Sequence, residues 1–525
     1  MPTDRRWQIA MVAVLGLFMA VLDTSIVYVA LPPMQQDFHT DLQTIVWVAT
    51  AYFLAQAAVI PIAGYLSDRI GTKTVFITAL ALFTIGSALC VVAPTKEALI
   101  AFRVAQGIGG GALFPIGFAI IFRAFPPAQR GAASAFGGVA VLLAPVLGPT
   151  IGGYLTTTFD WRAIFLINVP IGIVALTLAA LVLPSHVAEQ AAMGTSSASP
   201  AGKGFDAVGL VLAMAGFTAL SYGVSQAGSH GWGDSSVIHF ALLGSVLLAA
   251  LVVVELVVSN PVLDVRLFRN YTFSMANLLN WALGALIFGS LFMLPLFFEN
   301  VQGRTPLVAG AILVSQGLGA AVANFAAGAL YNRVGPRIIV TIGFVLMAIA
   351  TLGLRQLDVG TTWQALQVWL VLRGAALGLV NVPLQTLSLS VVSNRALARA
   401  SSLVNVNRQV FTAVGVAALT AYLTQQAHTH GSEIAASFHT QPPTGVAATC
   451  LSAAGQSATA LATCAQHYAT TLGLNDTFTI LTLACAVAAV LAVFLGRDPN
   501  VTALKRMAPV TEEPIAAERP ALVAE

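Results

Sequence analysis

The sequence predicts an all-α polytopic membrane protein with fourteen transmembrane helices, and three observations carry the prediction. Of 525 residues, 57% are hydrophobic and only 9% charged, whereas a soluble domain carries about 25% charged residues. Apolar runs of about twenty residues, long enough to cross the hydrocarbon of a bilayer as helices, recur without the alternation expected of barrel strands. Finally, Lys and Arg gather on alternate connections, as the positive-inside rule requires.

The runs, in order, are 8–31, 45–66, 74–93, 98–122, 132–157, 163–183, 206–226, 237–258, 272–298, 308–330, 338–354, 364–391, 403–425 and 477–496. With the N-terminus inside, only Lys96, Arg162, Arg304 and Arg355 fall outside, and Arg103, Arg373 and Arg408 fall within runs. The rest of the 24 basic residues are cytoplasmic. An early miscount would swap the later loops and erase this bias, so both termini are placed in the cytoplasm. Arg5 and Arg6 before the first run imitate a secretory signal. The run is too long for one and no small-residue cleavage site follows it, so it reads as a retained helix.

Three segments look non-helical. Residues 184–204, rich in Ser, Ala, Gly and Pro, read as a flexible cytoplasmic linker. Residues 426–475 read as a long extracellular loop, and 497–525 as a disordered cytoplasmic tail. Of the four cysteines, Cys90 and Cys485 lie in apolar runs, while Cys450 and Cys464 share the outer loop. Disulfides persist on that side, and a bridge there would contribute roughly 3 kcal/mol in the loop-entropy model; it is expected to form.

Ionisable residues inside the runs carry the functional reading. Asp23 interrupts the first run, where a carboxylate costs about 2.5–3.5 kcal/mol even on a lenient scale. It therefore needs a partner, or a proton to carry. Arg103 in the fourth run lies about 8 Å below the outer surface and Asp23 about 12 Å, at the helical rise. The two depths match. Arg373 in the twelfth run has no acid at matching depth, leaving backbone carbonyls or an anionic part of a substrate as its partner. Glu255 and Glu299 lie near run ends and read as solvated interface residues.

The chain also repeats itself. Gly64, Asp68, Arg69, Gly71 and Lys73 between runs two and three recur as Gly328, Asn332, Arg333, Gly335 and Arg337 between runs ten and eleven. Two runs later each copy is followed by an embedded arginine, Arg103 or Arg373. Such duplication marks secondary transporters whose substrate site lies between the halves near the midplane. The implied domains are an N-terminal six-helix bundle (8–183), the linker (184–204), an inserted helix pair (205–258), and a C-terminal six-helix bundle (272–496) containing the 426–475 loop.

In these elements the chain resembles the major facilitator superfamily, and within it the fourteen-helix drug:proton antiporters of the multidrug efflux type. The resemblance rests on the loop Gly64–Lys73, the fourth-run segment around Arg103 and Gly107, and the fifth-run segment Ala144–Gly153. The stretches Asp23–Pro32 and Trp161–Gly172 add to it. Two positions depart from the pattern: Ala144 stands where Gly is usual, and Ala163 where an aromatic is usual.

The resemblance implies that Gly64, Asp68, Arg69, Gly71 and Lys73 latch the cytoplasmic gate, with a weaker latch at Asn332. It implies that Pro145, Gly148, Pro149, Gly152 and Gly153 form the kinked antiporter helix associated with export. Helices one and four would line the central cavity, so that Asp23 meets Arg103 there and Arg103 sets its proton affinity. Cavity candidates are Trp47, Tyr52, Phe53, Trp281, Phe288, Phe292 and Phe411. The amides Asn277, Asn280, Gln316, Asn324, Asn381, Gln385, Asn405, Asn407 and Gln409 form a second group. Any single one of these aromatics serves equally as core or lipid-facing packing.

The expected activity is export of hydrophobic, often cationic, small molecules in exchange for protons, by alternating access. Export of an endogenous lipid or secondary metabolite is the alternative, and Gly148–Gly153 disfavours an uptake symporter. No phosphate loop, metal-spaced His cluster or nucleophile elbow supports an enzyme or an ATP-driven pump. No cofactor, metal or nucleic acid is therefore expected, the driving force being an ion gradient, read as protons. The expected partners are the substrate and membrane lipid, with no obligate protein partner. The expected location is the cell membrane, multi-pass, as a bacterial inner-membrane protein.

Overall fold

The computed structural model describes residues 3–40, 42–185, 206–258, 261–393, 396–438, 446–454, 457–496 and 498. Numbering only the long helices, the first half contains α1 (Thr3–Asp37), α2 (Trp47–Ile70), α3 (Thr72–Val91), α4 (Lys96–Ala124), α5 (Arg130–Thr158) and α6 (Asn168–Val182). Next come α7 (Ala207–His230) and α8 (Ser235–Val257). The second half contains α9 (Tyr271–Leu296), α10 (Pro306–Val334), α11 (Pro336–Leu354), α12 (Trp363–Ser390), α13 (Leu397–Ser437) and α14 (Ala458–Val493). Among the described residues, eleven helices are long and apolar enough to cross a membrane, or twelve with α5, which bends by 45° beside Pro145. The two remaining apolar runs lie on α9 and α13.

Helices are the outcome because lipid offers backbone groups no partner, so each segment must satisfy its own. Polar residues close the exposed ends. Thr95 accepts from the Ala98 amide at the start of α4, Asp206 from Gly209 at α7, and Asn270 from Phe273 at α9. The two repeated loops share one backbone solution. Gly71 has φ 94° and Gly335 φ 97°, a left-handed turn that only glycine enters at little cost, and each lets one helix reverse directly into the next.

Two apolar cores organise the bundles. In the first half Leu17, Phe76, Phe83 and Leu113 interlock; in the second, Phe297, Phe344, Leu370 and Phe478 do so. A third core joins Tyr65 and Phe122 of the first half to Phe217 and Leu251 of the α7–α8 pair and to Leu397 and Leu403 of α13. The pair α7–α8 leaves Val211, Leu242, Val246 and Val257 exposed, an apolar outer face suited to lipid.

The described residues of 426–475 are mainly helical rather than a loop: α13 continues to Ser437, a short helix covers Val446–Ala454, and α14 begins at Ala458. Polarity ends a membrane span but not a helix, and these alanine-rich segments have high helix propensity, with Ser457 capping α14. Cys450 and Cys464 are joined by a disulfide that ties the short helix to α14. The linker 184–204, apart from its first two residues, and the tail 497–525, apart from Asp498, lie outside the described residues.

The outer extensions of α13 and α14 are clasped by His430, whose ring nitrogens lie 3.2 Å from Glu433 and 2.7 Å from Asp476. Partial burial lowers the imidazole pKa, but these carboxylate hydrogen bonds outweigh it and raise the pKa above its ordinary value. With the folded value raised, the clasp is fully present below about pH 6.5 and is lost as pH rises through the folded pKa. For a surface contact its contribution is under about 1 kcal/mol. Protection factors of the amides in residues 426–437, with the intrinsic pH dependence of exchange divided out, are expected to fall slightly between pH 6 and 8, and His430→Gln to remove that fall.

Candidate functional site

Asp23 sits two-thirds of the way along α1, on a face turned toward α4 and α6. Arg103 Nη1 donates to Asp23 Oδ2 at 2.5 Å, and Gln106 Nε2 and Asn168 Nδ2 donate to Oδ1 at 2.8 and 3.0 Å. Arg103 also donates to Gln106 Oε1 at 2.6 Å and, through Nε, to the Val48 carbonyl at 3.0 Å. Gln106 reaches Ser87 at 2.7 Å, and Tyr52 lies under the guanidinium with its ring centroid 4.1 Å away. Five helices thus meet around one carboxylate, which accepts from three donors.

The structure brings Asp23 and Arg103 together, but not in the cavity between the halves. Side-chain exposure is 0% for Asp23 and 1% for Arg103, so the pair lies inside the first bundle. The physical reason is local. Arg103 and Gln106 share one face of α4, three residues apart, and that face packs on α1, α2 and α3, where the polar partners are. Gln106 and Asn168 were not picked out from the sequence. Gln106 could have been, by its spacing from Arg103; so could Asn168, an amide at about the same depth in its own run.

The expected antiporter segment lies against the same stretch of α1. A Cβ on Gly148 would fall on the Ser25 hydroxyl, and one on Gly152 would lie 2.8 Å from the Ile26 side chain. Ser25 in turn donates to the Ala144 carbonyl at 3.3 Å. Pro145 is the bend point of α5, and Pro149 lies beside Gly310 of α10. Gly153 accepts from Thr157 at 2.7 Å. Movement of α5 is therefore transmitted to α1 within two residues of Asp23.

At the opposite end, Asp68 joins the halves. It accepts from Arg123 Nη2 at 3.2 Å and from Arg399 Nε of α13 at 2.8 Å, while Arg399 also reaches the Pro261 carbonyl at 3.1 Å. The Gly64 amide donates to Ser402 Oγ at 2.9 Å, and a Cβ there would collide with the Ala398 carbonyl. Arg69 stays local, bonding Tyr65 at 3.2 Å. Lys73 caps α6, donating to the Ala180 and Leu183 carbonyls at 2.6 and 2.9 Å. In the second copy, Asn332 donates to the Ala128 carbonyl, a neutral contact where the first has an ion pair.

Other candidates separate. Arg373 is buried and donates from Nη2 to the Leu286 carbonyl at 3.3 Å, while its Nη1 has no hydrogen-bond partner among the described residues. Glu255 is not solvated: it is fully buried and accepts from the Val262 and Leu263 amides at 3.1 and 3.0 Å. That end of α8 is roofed by the chain folding back over it. Glu299 remains partly exposed. Trp47 stacks on Tyr222 of α7, and Phe53 packs edge-on to the buried Tyr52. Trp281 and Phe411 stack with centroids 4.4 Å apart. The side chains of Phe288 and Phe292 lie outside the described residues. Among the amides, Asn324 crosses between the halves to the Ala135 carbonyl at 3.0 Å, Asn280 bonds Ser388 at 3.3 Å, and Asn277 and Asn405 bond carbonyls of their own helices. Gln316, Asn381 and Gln385 are buried, and Asn407 and Gln409 half-buried. No group of His, Cys, Asp and Glu among the described residues could hold a metal.

Duplicated bundles, paired glycine turns and cross-half latches are a transporter architecture, and residues 13–416 match the family model described as Major Facilitator Superfamily. The chain belongs to this superfamily. It is 37% identical over 422 residues to the multidrug resistance protein B homolog of Mycobacterium tuberculosis, covering 79% of this chain and 76% of that protein. It is 31% identical to the multidrug export protein EmrB of Escherichia coli, over 80% of each. An uncharacterized MFS-type transporter of Bacillus subtilis, YhcA, is 28% identical over 94% of this chain and 93% of its own length. Among solved structures, the proton:xylose symporter XylE superposes with a TM-score of 0.63 over 96% of this chain and 100% of that one, at 14% identity; that likeness concerns the fold. The protein is therefore a multi-pass membrane transporter of the major facilitator type.

Two outcomes follow from this geometry. Removing one member of a buried ion pair costs about 3–5 kcal/mol, so Arg103→Ala should lower the thermal unfolding midpoint of the detergent-solubilised protein markedly. Asp23→Asn, which keeps the carbonyl acceptor, should lower it less. Asp68→Asn should make a cysteine introduced by Ser402→Cys react several-fold faster with a membrane-impermeant thiol reagent applied from the side of the membrane on which the Asp68 loop lies.

Proposed function

We propose that this major facilitator protein is a proton-coupled antiporter that exports hydrophobic small molecules from a bacterial cell across its inner membrane. The observation that carries the reading is Asp23: a fully buried carboxylate that accepts from three donors, two residues before Ser25, which packs against Gly148 of α5. A proton taken up there turns one oxygen into a donor and removes the negative charge that Arg103 pairs with. The ion pair between α1 and α4 is then lost. Protonation of one oxygen and rearrangement of α1 against α5 are in this way a single event.

Export as the direction is supported by the relatives named for multidrug resistance and multidrug export. It is also supported by the methylenomycin A resistance protein of Streptomyces coelicolor, 29% identical over 77% of this chain. Alternating access is supported by where the halves touch. The Asp68–Arg399 and Gly64–Ser402 contacts lie at the ends of α2 and α13 that the charge asymmetry assigns to the cytoplasm, together with Ser401 bonding the Pro115 carbonyl at 2.9 Å. We read the arrangement as a cytoplasm-closed state with fourteen spans and both termini inside.

In proteoliposomes, Asp23→Asn is expected to abolish export driven by an imposed proton gradient, while exchange of labelled for unlabelled substrate without a gradient persists. Undiminished gradient-driven export by that variant would remove Asp23 as the coupling site.

A further inference from the structure

At the interface between the halves lies a cation, Arg408, with no counter-ion among the described residues. Arg408 lies about three turns, roughly 16 Å, into α13. It is half-buried and sits over the ring of Phe114 from α4, 4.9 Å from its centroid. Its polar partner is neutral: Nη2 donates to Asn405 Oδ1 at 3.2 Å. Arginine stays charged at any accessible pH, and a charge at this depth is costly and marks a substrate or ion pathway.

The carboxylates that could answer it are engaged or remote. Asp23 is closed inside the first bundle by its own three donors, and Glu255 is held by two backbone amides at the end of α8. Glu299 lies at the far end of α9, in the turn Phe297–Val301. Among the described residues none of them pairs with Arg408.

An aromatic platform adjoins this charge. Phe411, three residues on and so on the same face of α13, stacks on Trp281 of α9 at a 4.4 Å centroid distance and 8° between planes. The seam is tight: a Cβ on Gly284, one turn past Trp281, would lie 3.4 Å from Arg408 Cγ. The indole Nε1 of Trp281 is buried without an acceptor among the described residues. Guanidinium and indole N–H are both donors, so this seam offers donors and ring faces and lacks a negative charge.

We propose that Arg408, with Trp281, Phe411 and Phe114, forms a binding site for aromatic small molecules bearing an anionic group, a carboxylate or sulfonate. This deepens the export reading above and changes the charge expected of the substrate from cationic to anionic. A planar anion would satisfy the arginine through paired N–H donors while its ring lies against the stack, and an aromatic cation would meet repulsion there.

The test is direct binding to the full-length protein in detergent, by calorimetry, of three compounds of one shape: 2-naphthoate, 2-naphthamide and 2-naphthylmethylammonium. The expected order is naphthoate tightest, by roughly tenfold over the amide, the size of one charge-assisted contact, with the ammonium weakest. Arg408→Gln should erase the charge preference and Arg408→Lys retain part of it. Trp281→Leu should weaken the naphthoate and the amide alike.

Failure of naphthoate to bind, binding of the ammonium as tightly, or a preference that survives in Arg408→Gln would each overturn the proposal. Binding is read without a gradient. If the preference holds but proteoliposomes export none of the compounds, the export reading fails and the site stands.

Discussion

A carboxylate and a guanidinium held together out of reach of water are what the first bundle is built around. Asp23 and Arg103 are both almost wholly buried, and neither could stay so alone, since an unpaired charge at that depth carries a penalty of several kcal/mol. The pair therefore imposes conditions on its surroundings. Gln106, Asn168, Ser87 and the Val48 carbonyl must each be in place to use the remaining lone pairs and protons. Five helices are positioned by that demand. A hydrogen-bonded network this extensive resists partial change, and under the proposed function a proton arriving at Asp23 would disturb several of its members together.

The same logic explains how distant parts of the chain are tied to this centre. The glycines of α5 press against Ser25 and Ile26, so α5 has no room to move without moving α1. Near the Pro115 level of α4, Ser401 of the other half takes hold, and Asp68 anchors Arg399. Arg399 also bonds the Pro261 carbonyl in the segment that returns from the α7–α8 pair. The segment that follows the inserted pair is thus bonded to the Asp68–Arg399 ion pair.

The two halves are duplicates in backbone but not in chemistry. Gly71 and Gly335 adopt the same turn, yet Asp68 forms ion pairs where Asn332 offers one amide contact. Arg103 has a carboxylate partner, and Arg373 has only a backbone carbonyl. One half carries a balanced ionic network buried from the interface. The other presents an unbalanced cation, Arg408, toward it. In the reading proposed above, this division separates the proton site from the substrate site, with helix movement rather than direct contact connecting them.

Much of this was legible in the sequence because bilayers read local properties. Apolar length, the sidedness of Lys and Arg, and the repeated glycine loop are features of contiguous residues; the first and last determined the helices and the repeated turn, and the second supplies the expected orientation. Depth along a helix also follows from counting, which is why Asp23 and Arg103 match in depth from the sequence alone. Rotation about the helix axis does not. Whether that pair faced the central interface or the bundle interior, whether Glu255 was solvated or roofed by residues 262–263, and which amide completed the carboxylate's shell all depend on how neighbouring helices turn. The helical character of 426–475 was missed because polarity signals departure from lipid, not loss of helix. In a membrane the hydrophobic signal is spent on insertion, so it says which segments cross but little about which face meets which; only packing among the helices decides that.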